Sequence, residues 1–155
     1  MAKRVMEFAN SVEIDRSAEE IFDVISDLPG LFAKLRKKAP LDVERTVGDG
    51  APAIGDVWRI SGKTRLGRRS GVIEMTECSG PTTMAFRSTG RGFAVDTVIT
   101  LTPQGPTRCS VTAQNELFAM TIAARMLSPA IRLWRGRVEK RLGKGLRRLK
   151  KRLER

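Results

Sequence analysis

The chain has 155 residues, and its 29 Lys or Arg against 17 Asp or Glu give a formal net charge of +12. This length fits one domain, and a content of 41% hydrophobic and 30% charged residues excludes collagen-like and largely disordered chains. The sequence contains no histidine, which excludes Ser/His/Asp and Cys/His catalysis and the usual zinc sites. We therefore expect neither a metal nor another cofactor.

The positive charge is concentrated in one segment, from Thr121 to Arg155. This segment contains 13 Lys or Arg and only two acidic residues, Glu139 and Glu154. A concentrated positive surface attracts anionic membranes or nucleic acid, whereas scattered charge mainly serves solubility. The charge pattern thus points to anionic partners of this segment.

The chain begins with a strand and a helix. The segment Val5–Asp15 alternates between apolar and polar side chains, which is the pattern of a half-buried strand. Ser17 lies three residues before Glu20, the spacing of a capping box, and predicts that a short helix follows. Pro29 and Gly30 are expected to interrupt this helix.

A second short helix and a series of strands come next, separated by turn residues. The predicted elements are a helix at Leu31–Lys38, an edge strand at Asp42–Val47, and strands at Val57–Thr64, Arg69–Cys78, Thr82–Thr89, Phe93–Leu101 and Arg108–Phe118. Their hairpin spacing predicts antiparallel pairing. After residue 121, apolar residues recur every three or four positions, which predicts one helix of about nine turns. Pro129 should kink this helix because proline lacks an N–H group.

These elements predict an α+β fold in which six to seven antiparallel strands curve around a long C-terminal helix. The curvature leaves a space between sheet and helix, where a hydrophobic ligand would bind. We expect a single domain at residues 1–142 and a basic helical extension of the closing helix at 143–155. No stretch has the pattern of a signal peptide or a membrane span, so we expect a cytoplasmic protein with Cys78 and Cys109 as free thiols.

Three segments carry a family resemblance: Val12–Asp27, Ile54–Trp58 and Leu101–Val111. They resemble, in this order, the first strand and opening helix, the start of the third strand, and the last hairpin turn of the START-like, or SRPBCC, superfamily. The likeness is strongest to its polyketide cyclase/dehydrase and lipid-transport-like branch. It implies a helix-grip fold and binding of an apolar small molecule such as a lipid, a polyketide or a quinone; a few members catalyse ring closure.

The predicted strand faces indicate which side chains line the space between sheet and helix. The predicted ligand-binding residues are Phe8, Asn10, Trp58, Ile60, Met84, Phe86, Phe93, Val95, Thr97 and Asn115 on the strands, and Ile122, Met126 and Trp134 on the closing helix. For any single apolar member, a place in an ordinary core is the favoured interpretation. Asn10, Thr97 and Asn115 would orient a ligand carbonyl or hydroxyl, or would bond to one another or to water.

A cyclase would need a base to remove a proton next to a carbonyl, and three carboxylates lie in the central strands. They are Glu74, Glu77 and Asp96. By alternation, Asp96 points away from the face of Val95, and Glu74 and Glu77 lie on opposite faces, so at most one of them points inward. A polyketide cyclase or dehydratase is therefore the alternative to a carrier, and an interaction module with a collapsed cavity is a third hypothesis.

The basic end of the closing helix combines cations with a stripe of leucines. The candidate cations for membrane or anion contact are Lys144, Arg147, Arg148, Lys150, Lys151 and Arg152. Together with leucines at 142, 146, 149 and 153, they form a basic amphipathic helix typical of anionic membrane surfaces. For the static structure we favour the interpretation in which the leucines continue the core contact and the charges lie in water, with a membrane or partner contact as the alternative. Nucleic acid is the less favoured partner, because the strands lack exposed aromatic residues for base stacking.

Overall fold

The computed structural model describes residues 2–35, 42–64 and 67–155, and there seven antiparallel strands form one open, curved sheet. The strands are β1 (Lys3–Ile14), β2 (Asp42–Val47), β3 (Val57–Thr64), β4 (Gly67–Ser79), β5 (Thr83–Gly90), β6 (Phe93–Gly105) and β7 (Arg108–Ala119), in the sheet order β1-β7-β6-β5-β4-β3-β2. The helices are α1 (Ala18–Ser26), α2 (Leu28–Leu35), α3 (Ile122–Leu133) and α4 (Arg135–Leu153). The predicted α+β fold and its element order are confirmed.

The two short helices after β1 differ from prediction in where they meet. The Ser17 side chain accepts a hydrogen bond from the Glu20 backbone N–H at 3.2 Å and caps α1 as predicted. The expected interruption at Pro29 and Gly30 is wrong, because both residues lie in the first turn of α2. Proline is tolerated there, since the first N–H groups of a helix have no intrahelical partner. The predicted end of this helix at residues 36–38 lies outside the described residues.

The long closing helix is divided into two, and the division is not at the predicted residue. Pro129 lies inside α3, and the chain leaves the helix only at Trp134. There the Trp134 N–H donates to the carbonyl of Ile131, three residues back, at 2.9 Å. This bond tightens the last turn of α3, and the Trp134 carbonyl then accepts from Val138 to begin α4.

Two hydrophobic clusters fill the structure. The first contains buried residues of the sheet, of α1 and of α4, and the second lies where β1, β6 and β7 contact α3 and the start of α4. Leu149 of α4 is only 3% exposed in the first cluster, and Leu146 and Leu153 pack against it. Leucines 146, 149 and 153 of the basic end therefore continue the core contact, whereas Leu142 is exposed. Helix α4 passes residue 142 without interruption, so a domain boundary there stays a prediction.

Helix α4 lies close to β1. The Asn10 side-chain amide donates to the backbone carbonyl of Glu139 at 3.1 Å, and a Cβ atom on Gly143 would lie 3.3 Å from the Asn10 side-chain oxygen. A Cβ atom this close would be tighter than most side-chain contacts, so glycine at position 143 favours the close approach of α4 to β1. In the described part of the chain, no helix combines the length and the apolar character needed to cross a membrane.

Candidate functional site

A cavity of about 630 Å³ lies between the sheet and the first half of α4. It is lined by Phe8, Ser88, Val95, Thr97, Asn115, Trp134, Arg137, Val138, Arg141 and Leu142. Phe8, Val95, Thr97, Asn115 and Trp134 of this set are among the predicted ligand-binding residues. The lining comes from four strands and the closing helix, as expected where a sheet curves around a helix. Its volume is within the usual range for small-molecule sites.

The floor of the cavity carries a polar pair from neighbouring strands. Thr97 and Asn115 are directly opposite each other in the pairing of β6 with β7, and the Thr97 hydroxyl donates to the Asn115 side-chain oxygen at 2.7 Å. Asn115 is 7% exposed. Its amide nitrogen makes no hydrogen bond to the described residues, so both N–H donors are available to a bound molecule.

Two arginines of α4 stand at the mouth of the cavity. Arg137 and Arg141 are one helical turn apart, both are exposed, and neither forms an ion pair within the described ranges. Sequence reasoning missed both, together with Ser88, Val138 and Leu142. Their helical spacing could have revealed the four residues of α4. Residues 137 and 141 are one turn apart, as are 138 and 142, so all four lie on or beside the predicted apolar stripe.

Several predicted lining residues pack in the core instead of bordering this cavity. Trp58, Met84 and Phe86 are buried in the first cluster, where the rings of Trp58 and Phe86 meet edge to face with their centres 6.4 Å apart. Ile60 borders a smaller cavity of about 350 Å³ beside Phe32 of α2. Side chains from adjacent strands and from α1 and α2 pack around Trp58, Met84 and Phe86 on the concave side of the sheet.

Four other predicted ligand-binding residues also do not border this cavity. Asn10 is used in the hydrogen bond to α4, and Phe93 borders a separate groove near Met120. Ile122 and Met126 are 76% and 78% exposed, so they do not line the cavity. The side of α3 that faces the sheet carries the small residues Ala124 and Ser128, which permit close packing.

The three candidate carboxylates lie on the outer face of the sheet. A β-bulge between Met75 and Glu77 shifts the alternation of β4, so Glu77 opposes Ala85 just as Glu74 opposes Arg87. Both carboxylates therefore share the convex face, and the prediction that they lie on opposite faces is wrong. The extra residue of the bulge is the physical reason.

Asp96 lies on the same convex face and is bound to a cation. Its two carboxylate oxygens accept hydrogen bonds from Arg87 at 2.7 and 2.8 Å. This contact raises the pKa of Arg87, so the guanidinium stays charged. Within the described residues, no three His, Cys, Asp or Glu side chains form a group that could hold a metal ion. A proton acceptor at the cavity floor would have to be a group other than these carboxylates.

The two cysteines are free thiols. Cys109 is fully buried in the first cluster, and burial, followed by the nearby charge of Glu19, raises its pKa. Only the thiolate is nucleophilic, and a raised pKa keeps Cys109 in the neutral thiol form. This residue therefore acts as an apolar core side chain.

The basic end of α4 is partly fastened to β1. Lys150 donates to the backbone carbonyl of Glu13 at 2.7 Å and pairs with Glu154 at 2.8 Å. Glu154 also accepts from the Asp15 backbone N–H at 2.8 Å, and these bonds, that from Lys150 first, lower its pKa. The remaining candidate cations Lys144, Arg147, Arg148, Lys151 and Arg152 are exposed.

Solved structures share this architecture over nearly the whole chain. Protein DR_A0006 from Deinococcus radiodurans is 22% identical, with 96% of this chain and 98% of that chain covered and a TM-score of 0.62. TTHA0849 from Thermus thermophilus is 17% identical, with 96% of this chain and 97% of that chain covered and a TM-score of 0.69. The di-domain ARO/CYC protein StfQ from the steffimycin biosynthetic pathway is 14% identical with a TM-score of 0.70, and 96% of this chain corresponds to 50% of that one. These likenesses establish the fold.

Sequence comparison identifies the family. No curated protein matches the chain. Residues 6–154 match the family described as polyketide cyclase / dehydrase and lipid transport. The match includes every strand but the start of β1, both short helices, and α3 and α4. The chain therefore belongs to the polyketide cyclase / dehydrase and lipid transport family.

Proposed function

We propose that this protein binds an apolar small molecule, such as a lipid, a quinone or a polyketide-like compound, and carries or senses it. The observation that carries this proposal is the 630 Å³ cavity, in which apolar walls surround an Asn115 amide with unused donors. A ligand carbonyl or hydroxyl would accept from that amide, while Phe8, Val95 and Leu142 contact its apolar part. Membership of a family that includes lipid transport supports the same function.

Filling the cavity should weaken binding. Val95→Phe places a ring in the cavity, and Val98→Phe is the matched control, because residue 98 is on the convex face of the same strand. The probes are oleate, a short-chain ubiquinone analogue and an anthraquinone, and the signal is the fluorescence of Trp134, which borders the cavity. We expect Val95→Phe to weaken binding of the responding probe at least about tenfold, with no change for Val98→Phe. Equal affinity in both variants, or no response of the unmodified protein to any probe, would contradict the proposal.

The polar floor has a separate test. Asn115→Leu keeps the approximate size of the side chain and removes the amide, and a lost hydrogen bond to a buried ligand oxygen is worth about 1 kcal/mol. Affinity for the ubiquinone analogue should fall by roughly a factor of five to ten, whereas oleate binding through its hydrocarbon part should change less. A uniform loss for all probes, with a lowered unfolding temperature, would instead indicate damage to the sheet.

The positions of the three candidate carboxylates argue against the enzymatic alternative. The family description includes cyclases and dehydrases, but Glu74, Glu77 and Asp96 lie on the convex face, so they do not support a carboxylate base in the cavity. We propose a carrier or sensor rather than an enzyme. If turnover of a poly-β-ketone is measured, it should survive Asp96→Asn and Glu74→Gln; loss of turnover with retained folding would return these residues to the mechanism.

We also propose that the protein acts in the cytoplasm, where its two free cysteines would stay reduced. Docking on anionic membrane through Lys144 to Arg152 belongs to the same proposal. The exposed cations of this segment support it through their charge. Its leucines, however, contact the core, so the segment would supply electrostatic attraction without apolar surface.

A further inference from the structure

An outward apolar ridge on α3 supplies the surface that the basic end of α4 lacks. Ile122, Met126 and Leu133 are 76%, 78% and 85% exposed. Residues four and seven positions apart lie on one side of a helix, so these three side chains form a continuous row, with Pro129 between them. Large apolar side chains exposed together on one element usually mark an interaction site.

The orientation of this ridge is fixed by contacts on the opposite side of α3. Ala124 and Ser128 are buried against the body of the protein. The Arg132 side chain donates to the backbone carbonyl of Val5 at 2.9 Å, and the Thr121 hydroxyl accepts from the Ala124 N–H and caps the helix. The ridge therefore points away from the sheet as a consequence of the packing of α3.

Positive charge lies at both ends of the ridge. Residues 119–138 contain four arginines, but Arg132 donates to Val5 on the opposite side of α3 and Arg135 pairs with Glu139. The cations along the ridge are therefore Arg125 and Arg137, both exposed. The Met120 N–H donates to the Gly92 carbonyl at 2.7 Å, which brings the turn that carries Arg91 beside the start of α3. An apolar row bordered by cations matches an anionic bilayer surface, into which the row would insert while the cations meet lipid phosphates.

The ridge ends beside the mouth of the cavity. Trp134 follows Leu133 directly, is itself exposed and lines the cavity, and Arg137 stands at the cavity mouth one turn further along. Tryptophan is characteristic of membrane interfaces, because its ring is apolar and its N–H is polar. A bilayer that contacts the ridge would thus lie next to the opening through which a ligand enters.

We infer that the outward face of α3, formed by Ile122, Met126 and Leu133, docks this protein on anionic membrane surfaces, with Trp134, which follows the helix, at the edge of the contact. The inference extends the proposed function, and it does not depend on which molecule the cavity holds. It assigns the apolar part of the membrane contact to α3 and leaves the basic end of α4 a supporting electrostatic role.

The test is binding of the full chain to vesicles without any ligand. Phosphatidylcholine vesicles with and without phosphatidylglycerol are sedimented with the protein, and partition is compared for Met126→Ser/Leu133→Ser and for a matched control, Val47→Ser/Ile54→Ser. The control residues are also exposed but lie around the loop between β2 and β3. We expect the α3 variant to lose at least about tenfold in partition onto the anionic vesicles, with the control unchanged. All four side chains are exposed, so unfolding temperatures should stay the same.

Two further measurements decide between the alternatives. In the unmodified protein, anionic vesicles should shift the Trp134 emission to shorter wavelength, whereas Trp58, buried in the core, should not respond. A Lys144→Gln/Lys151→Gln/Arg152→Gln variant should weaken binding only modestly; if it abolishes binding while the α3 variant binds normally, the inference is overturned. Light scattering tests whether this face instead joins two copies of the chain. If the unmodified protein is a dimer, the α3 variant is a monomer and neither binds vesicles, the face is an interface between copies and the inference is overturned. Because no ligand is present, none of these outcomes bears on the cavity.

Discussion

The role of Leu149 gives the sharpest test of how the basic end of α4 is used. This leucine lies in the most highly charged segment of the chain, yet its side chain is only 3% exposed. It packs in a cluster with residues of β1, α1 and β7. Truncation to alanine removes almost fully buried apolar surface and leaves a cavity, which together cost about 2 to 5 kcal/mol. For a chain of this size, about 2 to 4 °C are lost per kcal/mol, so the unfolding temperature should fall by roughly 4 to 20 °C.

A matched variant shows whether burial is the cause. Leu142→Ala removes the same atoms two turns earlier in α4, where the side chain is exposed at the cavity, and should cost less than about 1 kcal/mol. The assay is thermal and urea unfolding followed by circular dichroism on both variants. If Leu149→Ala costs no more than Leu142→Ala, the end of α4 is a solvated extension, and the inference that it belongs to the core is refuted.

Two other perturbations have defined outcomes. The lowered pKa of Glu154 means that its bonds to Lys150 and to β1 stabilise the fold at neutral pH; this contribution declines as the pH falls below the ordinary glutamate value of about 4.3 and is lost below the native pKa. Amide exchange in the last turn of α4 should therefore quicken at acidic pH, and Glu154→Gln should remove most of that dependence. Gly92→Ala should destabilise by about 1 to 3 kcal/mol, because φ is +80° and the new Cβ would lie 2.6 Å from the Thr121 hydroxyl. Gly50→Ala, with a similar φ and no atom within 4 Å, should cost less in the same unfolding assay.

The order of elements and the inward faces of most strands could be predicted from the sequence. In β6, Val95 and Thr97 alternate with Asp96, and that pattern records directly which side of the strand meets the core. Position in a hairpin then brings Thr97 opposite Asn115, so the polar floor of the cavity follows from alternation and pairing together.

Pairing irregularities and the side of a helix that faces the sheet could not be predicted in this way. The bulge in β4 depends on how that strand pairs with β5, and it reverses the face of Glu77 without any change in local composition. Helical spacing shows that Ile122 and Met126 share a side, but not that this side faces outward. The side that packs is decided by close approach to the body, which favours Ala124 over larger residues. The same limitation hid Arg137, since a cation beside an apolar stripe gives no sign that a cavity lies there.

The fastening of α4 to β1 also sets the order in which the structure can be completed. The hydrogen bonds of Lys150 to Glu13 and of Asp15 to Glu154 join residues separated by 137 and 139 positions. Helix α4 follows every strand in the chain, so during synthesis the sheet can pair strand by strand while its concave face still lacks the helix that closes it. Until Leu149 arrives, Ile14 and the apolar residues around it remain accessible to chaperones or to other chains. Completion of the cavity between sheet and helix is thus a late event, in keeping with the slow closure expected of contacts so distant in sequence.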